Sequence, residues 1–233
     1  MCCVDILYVC FSPLQTTSNT FDLIFFCVLI SKPITTSPFK IFLISLIEIQ
    51  HIYPDYQSAE LHKAISAGLA FILKQQKADG SWYGGWAVCF TYATWFAVEA
   101  LSKAKGKGYY NDTVLADSMQ NAVAFLVSKQ KADGGWGETF KSCSKLVYTE
   151  AETSQVVNTA WAVLALLAVE NVDRTVIAAG INLLQSRQTD QGDWEQESIS
   201  GVFNYNCMIT YANYRNIFPI WALNRYYKEI IQG

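Results

Sequence analysis

Three stretches of this chain read alike: AFILKQQKADGSW (70–82), AFLVSKQKADGGW (124–136) and NLLQSRQTDQGDW (182–194). In each, a Gln stands six residues before a Trp: Gln76 and Trp82, Gln130 and Trp136, Gln188 and Trp194. A Gly stands two residues before the same Trp, at Gly80, Gly134 and Gly192. The tryptophans follow one another at intervals of 54 and 58 residues, a spacing that signals a repeat architecture. Each piece has a physical task. A helix ends near the Gln, and the Gly permits the left-handed backbone that turns the chain. The Gln amide can bond backbone groups left open at a helix end. The Trp covers that bond with a flat apolar surface. These six residues are therefore read as structural clamps.

Working outward, Ile65, Leu69, Ile72 and Leu73 share one helical face. So do Val156, Val157, Ala160, Trp161, Leu164 and Leu167, and likewise Ile177, Ile181 and Leu184. A second helix follows each turn and carries its own tryptophan, at Trp95, Trp161 and Trp221. Each repeat is thus a helix pair, and stacked pairs share one core. Strand-like alternation is scarce, so residues 57–231 are expected to be all-α.

Residues 1–50 have another style, rich in Ile, Phe, Cys, Ser and Thr, and are expected to be disordered or foreign to the functional protein. Their apolar runs, Leu23–Ile30 and Ile41–Ile47, fall short of the roughly 20 residues a membrane-spanning helix needs. No basic segment precedes an apolar core, so a signal peptide fits poorly. The division is therefore 1–50 and 51–233.

The chain is 52% apolar and 16% charged, which excludes a disordered protein. Aromatics reach 14%, more than an ordinary core requires, and hint at an aromatic-lined cavity. The net charge is −3 and the basic residues are scattered, so nothing points to nucleic acid. Seven cysteines, odd in number and irregularly spaced, read as reduced thiols in a cytosol-facing protein. Buried packing is expected for Cys89, Cys143 and Cys207.

The Q-x-x-x-G-x-W repeat resembles the QW motif of triterpene cyclases. DGSWYGGWAVCFTYATWF (79–96), ADGGWGETFKSC (132–143) and GDWEQESISGVFNYNCMITYANYRNIFPIWAL (192–223) resemble the C-terminal region of eukaryotic oxidosqualene cyclases. The resemblance runs from about His51 to Gly233. It implies part of an α/α toroid (barrel), here incomplete. It also implies the conversion of 2,3-oxidosqualene to lanosterol, cycloartenol or a related triterpene through a carbocation cascade, without a dissociable cofactor or metal. The implied setting is one leaflet of the endoplasmic reticulum membrane, or a lipid droplet. By the same resemblance Trp86 and Phe203 match cation-stabilising positions, and Tyr211, Asn204 and Ile209 match cavity or near-cavity positions. Such a site explains the aromatic wealth. A nucleophile would trap a migrating carbocation, whereas an aromatic face attracts it without forming a bond. Tyr214 and Arg215 are expected to fix the last helices through hydrogen bonds.

The sequence also departs from that family. The family chain is roughly three times as long, and its Asp-Cys-Thr-Ala-Glu acid motif is absent here. Asp79, Asp133 and Asp193 lie in the repeat turns, where helix capping is the expected task. Glu138 and Glu150 are expected in a loop, without a partner that would make either a strong acid. The chain alone is therefore expected to be inactive, and a truncated helix stack is expected to expose apolar surface. Two other readings compete. A protein prenyltransferase β-subunit would need zinc on Asp, Cys and His, and the repeat region holds no usable set. A non-catalytic α/α repeat protein could bind an apolar ligand or a partner.

Overall fold

The structure, a computed structural model, describes residues 36–203 and 207–232. The chain divides into two units, Met1–Ile34 and Thr35–Gly233, and every described element belongs to the second. In order they are α1 (Thr36–Ile52), α2 (Ser58–Lys74), α3 (Cys89–Ala104), α4 (Asp112–Ser128), the short α5 (Lys141–Lys145), α6 (Val156–Leu167) and α7 (Arg174–Ser186). A hairpin of β1 (Gly201–Phe203) and β2 (Cys207–Ile209) follows, then α8 (Tyr214–Tyr226) and a π-helical turn, Tyr227–Ile231. The all-α expectation holds, with this three-residue antiparallel hairpin as the one sheet among the described residues.

Helices α1, α3, α6 and α8 form an inner layer and run in one direction. Lys40 of α1 reaches Ala93 of α3, and Glu48 farther along α1 pairs with Lys103 farther along α3. Trp161 of α6 meets Tyr214 and Phe218 at the start of α8, while Arg225 near its end pairs with Glu99 of α3. Helices α2, α4 and α7 form the outer layer and bury one face each. Leu61, Ile65, Leu69 and Ile72 make that face on α2, and Ile177, Ile181 and Leu184 make it on α7. By contrast α6 is buried on all sides. The sequence pattern explains this, because α6 reads VVNTAWAVLALL with no charge.

The break expected near residue 50 falls elsewhere. Helix α1 crosses it, and the run Ile41–Ile47 supplies its buried face through Leu43, Leu46 and Ile47. The period of that face is helical, but the apolar residues Ile41, Phe42 and Ile44 around it conceal it. Lys40 of the same helix is fully buried, donates to the Ala93 carbonyl oxygen at 2.8 Å and lies 5.7 Å from the Trp82 ring centre. Burial pushes its pKa well below the usual lysine value. The run Leu23–Ile30 lies outside the described residues.

Each repeat turn is built the same way. Gly80, Gly134 and Gly192 have φ of 88°, 86° and 85°. Each Gln amide donates to the carbonyl of its own Gly, at 2.9, 2.9 and 2.8 Å. Each Trp indole donates back to the last turn of the preceding helix: Trp82 to Ile72, Trp136 to Leu126 and Trp194 to Leu184. Gln76 and Gln130 also cross to the next outer helix, donating to the Ser118 and Val176 carbonyls at 2.8 and 2.9 Å. Gln188 is exposed, and no crossing bond is present among the described residues. The aspartates brace these turns rather than cap helices. Asp79 accepts from the Ser81 backbone and hydroxyl, Asp133 from Gly135 and Ser154, and Asp193 from Thr189.

Candidate functional site

Trp86 sits in a tight loop before α3. The loop is closed by a hydrogen bond from the Gly84 N–H to the Cys89 carbonyl, 3.1 Å long. Two further contacts tie it to the hairpin: Val88 N–H donates to the Ser200 carbonyl at 2.9 Å, and Ala87 bridges Gly201. Gly201 in turn pairs with Ile209. The Tyr211 ring lies so close to Gly201 that a Cβ there would meet it at 2.4 Å, so only glycine lets the two approach. The structure thus brings the neighbour of Trp86, Ile209 and Tyr211 into one small patch, although 115 residues separate Trp86 from Gly201. Trp86 remains 40% exposed, against 0% for each of the clamps Trp82, Trp136 and Trp194. Phe203 pairs with Cys207 through its backbone. Its side chain and the whole of Asn204 lie outside the described residues.

Behind the patch runs a continuous series of rings. Tyr211 stacks on Tyr214 at 4.7 Å, and Tyr214 meets Phe218 edge-on at 5.0 Å. Phe218 reaches Trp161 and Trp95, each at 5.5 Å, and Trp95 reaches Trp221 at 5.3 Å. Edge-to-face contacts of this kind add to simple burial and fix ring orientation. The Trp161 indole N–H is buried with no hydrogen-bond partner among the described residues. Trp221 is 45% exposed, unlike its counterparts Trp95 and Trp161. Ile217, Ile220, Tyr227 and Ile231 are exposed near it, the apolar surface expected of this helix stack. Arg215 fixes the start of α8 as expected, donating to the Trp194 carbonyl and lying 3.8 Å from Asp193.

Two features escape a reading of the sequence. Cys89 and Cys143 form a disulfide, with Cα atoms 5.9 Å apart, where reduced thiols were expected. Their separation of 54 residues hides the pairing until α5 is folded against the start of α3. Cys207 is free and exposed rather than packed. The second feature is Glu138, which is fully buried. Its carboxylate accepts from the N–H groups of Cys89 (3.3 Å), Phe90 (3.0 and 3.1 Å) and Thr91 (2.9 Å), and from the Thr91 hydroxyl (2.9 Å). It is the missing cap of α3, whose own N-cap residue, Val88, offers no acceptor. Burial pushes its pKa up, and the donors around it oppose that shift. Glu197 serves α6 similarly, accepting from Val156 N–H at 2.6 Å. The available signal was an acidic residue soon after a repeat Trp, in WGE at 136–138 and WEQE at 194–197. Among the described residues no cluster of His, Cys, Asp and Glu could hold a metal, and no helix is long and apolar enough to cross a membrane.

Comparison with known proteins agrees with this architecture. Residues 47–228 match the family model of the squalene-hopene cyclase C-terminal domain. The chain is 49% identical to lanosterol synthase of Mus musculus over 174 residues, covering 75% of this chain and 24% of that protein. It is 48% identical to lanosterol synthase of Saccharomyces cerevisiae over 176 residues, 76% of this chain and 23% of that one. It is 51% identical to cycloartenol synthase of Dictyostelium discoideum over 167 residues, 72% and 23% respectively. The chain therefore spans about a quarter of the length of these relatives. Among solved structures, ent-copalyl diphosphate synthase from Streptomyces platensis superimposes with a TM-score of 0.59. That match has 19% identity and covers 84% of this chain and 32% of that one, a likeness of fold alone.

Proposed function

Because the chain belongs to the squalene-hopene cyclase C-terminal domain family, we propose that it supplies the C-terminal part of an oxidosqualene cyclase. The reaction is the closure of 2,3-oxidosqualene to lanosterol or a related triterpene alcohol. The observation that supports this reading is the half-exposed Trp86, whose neighbour Ala87 bridges Gly201, the residue packed on Tyr211 at the end of a series of aromatic rings. Epoxide protonation falls to an acid outside this chain. The residues here act later. Trp86, Phe203 and Tyr211 offer π-faces to the migrating cation, each worth about 0.5–2 kcal/mol when desolvated. Ile209 and Asn204 shape the same wall and hold the hydrocarbon in its folded form. Excluding water prevents premature capture of the cation. Neither a metal nor a dissociable cofactor takes part in this scheme. The substrate is a membrane lipid, so the proposed setting is the surface of the endoplasmic reticulum membrane or a lipid droplet.

The test uses an antibody raised against residues 207–232. Protein captured with it from source membranes is incubated with 2,3-oxidosqualene, and the products are separated by gas chromatography and mass spectrometry. The expected product is lanosterol, made by a protein about three times the mass of this chain, while the purified 233-residue chain makes none. Sterol formation by the purified chain would overturn the assignment of the acid to another segment. A captured protein of 26 kDa that binds apolar ligands and makes no triterpene would favour a non-catalytic repeat protein instead.

A further inference from the structure

The loop that carries Trp86, Gly84 to Val88, includes two glycines and an alanine and is closed by the bond from Gly84 to Cys89. It is also gripped at its two flanks. One flank is the hairpin, through Ser200 and Gly201. The other is the first turn of α3, and there the grip comes from the following repeat. Glu138 stands two residues after the clamp Trp136, and its backbone N–H is held by the Asn158 side chain at 3.3 Å. Its carboxylate takes up the open N–H groups of Cys89, Phe90 and Thr91. The Cys89–Cys143 disulfide braces the same residue, and the Tyr83 hydroxyl donates to the Cys143 carbonyl at 3.3 Å from the other side of the loop.

We infer that Glu138 is a positioning residue for Trp86: its buried carboxylate sets the register of the loop and thereby the face that Trp86 presents. This deepens the proposed function and rests on it where ligand binding is concerned. The five donor contacts fit an ionised carboxylate with both oxygens engaged, a harder requirement than simple capping. Glutamine at this position would turn an amide N–H₂ towards N–H donors on one side, so it can restore only part of the grip. The cap of α4 is a contrast. Asn111 caps α4 through the N–H groups of Thr113 and Val114, on an exposed surface.

The test uses the 233-residue chain labelled with 5-fluorotryptophan, whose seven tryptophans are resolved by fluorine NMR. The Trp86 line is assigned by its loss in W86F. E138A is expected to shift and broaden that line while leaving those of Trp136 and Trp194 in place. E138Q is expected to give an intermediate shift. N111A, which removes an equivalent cap elsewhere, should leave Trp86 unmoved. Should E138A fail to fold, T91V removes one donor to the carboxylate and should move the Trp86 line in the same direction by less. A Trp86 line unchanged in the folded E138 and T91 variants overturns the inference. A line that moves equally in N111A overturns it too, because the effect would then be general loosening. Binding of N,N-dimethyldodecylamine, a cationic amphiphile, separates this inference from the site reading. W86A should weaken it about tenfold, and E138A by a similar factor. If W86A leaves binding unchanged while E138A still moves the Trp86 line, the positioning role stands and the cavity role of Trp86 falls.

Discussion

Replacing Lys40 by methionine should stabilise the protein. The Lys40 amine is wholly buried between α1 and α3 and has three donor positions when charged, of which one meets an acceptor among the described residues, Ala93 O at 2.8 Å. The Trp82 ring at 5.7 Å offers about 1 kcal/mol of cation–π attraction, too little to offset the loss of water. Methionine keeps most of the apolar stem and removes the amine. Substituting apolar groups for buried charges is typically neutral or stabilising by about 1–4 kcal/mol, and the lost hydrogen bond returns about 1 kcal/mol. The net expectation is a gain of up to about 3 kcal/mol. The pH dependence has a definite sign. Burial lowers the folded-state pKa of Lys40, so between that value and its ordinary value near 10.5 the unfolded chain holds more protons. Wild-type stability therefore rises with pH through that window, by at most about 1.4 kcal/mol per unit. It levels off above the ordinary value, and the penalty is complete below the folded one. K40M should lack this contribution. Urea denaturation followed by circular dichroism, from pH 7 to 10, measures both effects. A K40M protein less stable by more than about 1 kcal/mol, with an unaltered pH slope, would refute the packing of α1 on α3 from which the argument starts.

Three further outcomes follow from the repeat turns and the disulfide. Q76A and Q130A should each cost about 1–2 kcal/mol in urea denaturation, because each removes bonds to two carbonyls, whereas Q188A, with one exposed bond, should cost less than about 1 kcal/mol. G80A should be far more damaging than G192A. Both strain a left-handed backbone by about 1–2 kcal/mol, but an alanine Cβ at residue 80 would also lie 2.1 Å from the Asn121 carbonyl oxygen, while at residue 192 it meets nothing. Thermal melts rank the two directly. Reduction of the Cys89–Cys143 bond frees a 54-residue loop and should lower stability by about 4 kcal/mol. Dithiothreitol should have no such effect on the C89S/C143S double variant.

How far the sequence discloses this structure depends on distance along the chain. The Gln–Gly–Trp turns are legible because each Gln meets its Gly carbonyl four residues later, and each Trp reaches back ten residues to its own helix. Their physics is local, so their pattern is too. Glu138 acts on residues 47 to 49 positions away, and its place soon after a repeat Trp marks it without saying which helix it caps. The hairpin strands are three residues long, too short for alternation to register. The patch around Trp86 was reachable only through family resemblance, since its members meet by way of Gly201, a residue without a side chain. Helix α1 was obscured because Lys40 interrupts an apolar segment whose composition differs from the repeats.

The three turns are chemically alike yet unequally engaged, and this gives the molecule a direction. At the first two, the glutamine stitches one outer helix to the next, so neither helix can leave without breaking the other's bond. At the third, the amide of Gln188 faces solvent and the surface above Gly192 is open. In a stack whose stability is a sum of neighbour couplings, the end that lacks the glutamine crossing bond is where opening begins. Amide exchange should accordingly be fastest around Gln188–Asp193 and slow progressively towards Gln76, so that the repeat unzips from one side rather than melting as a block.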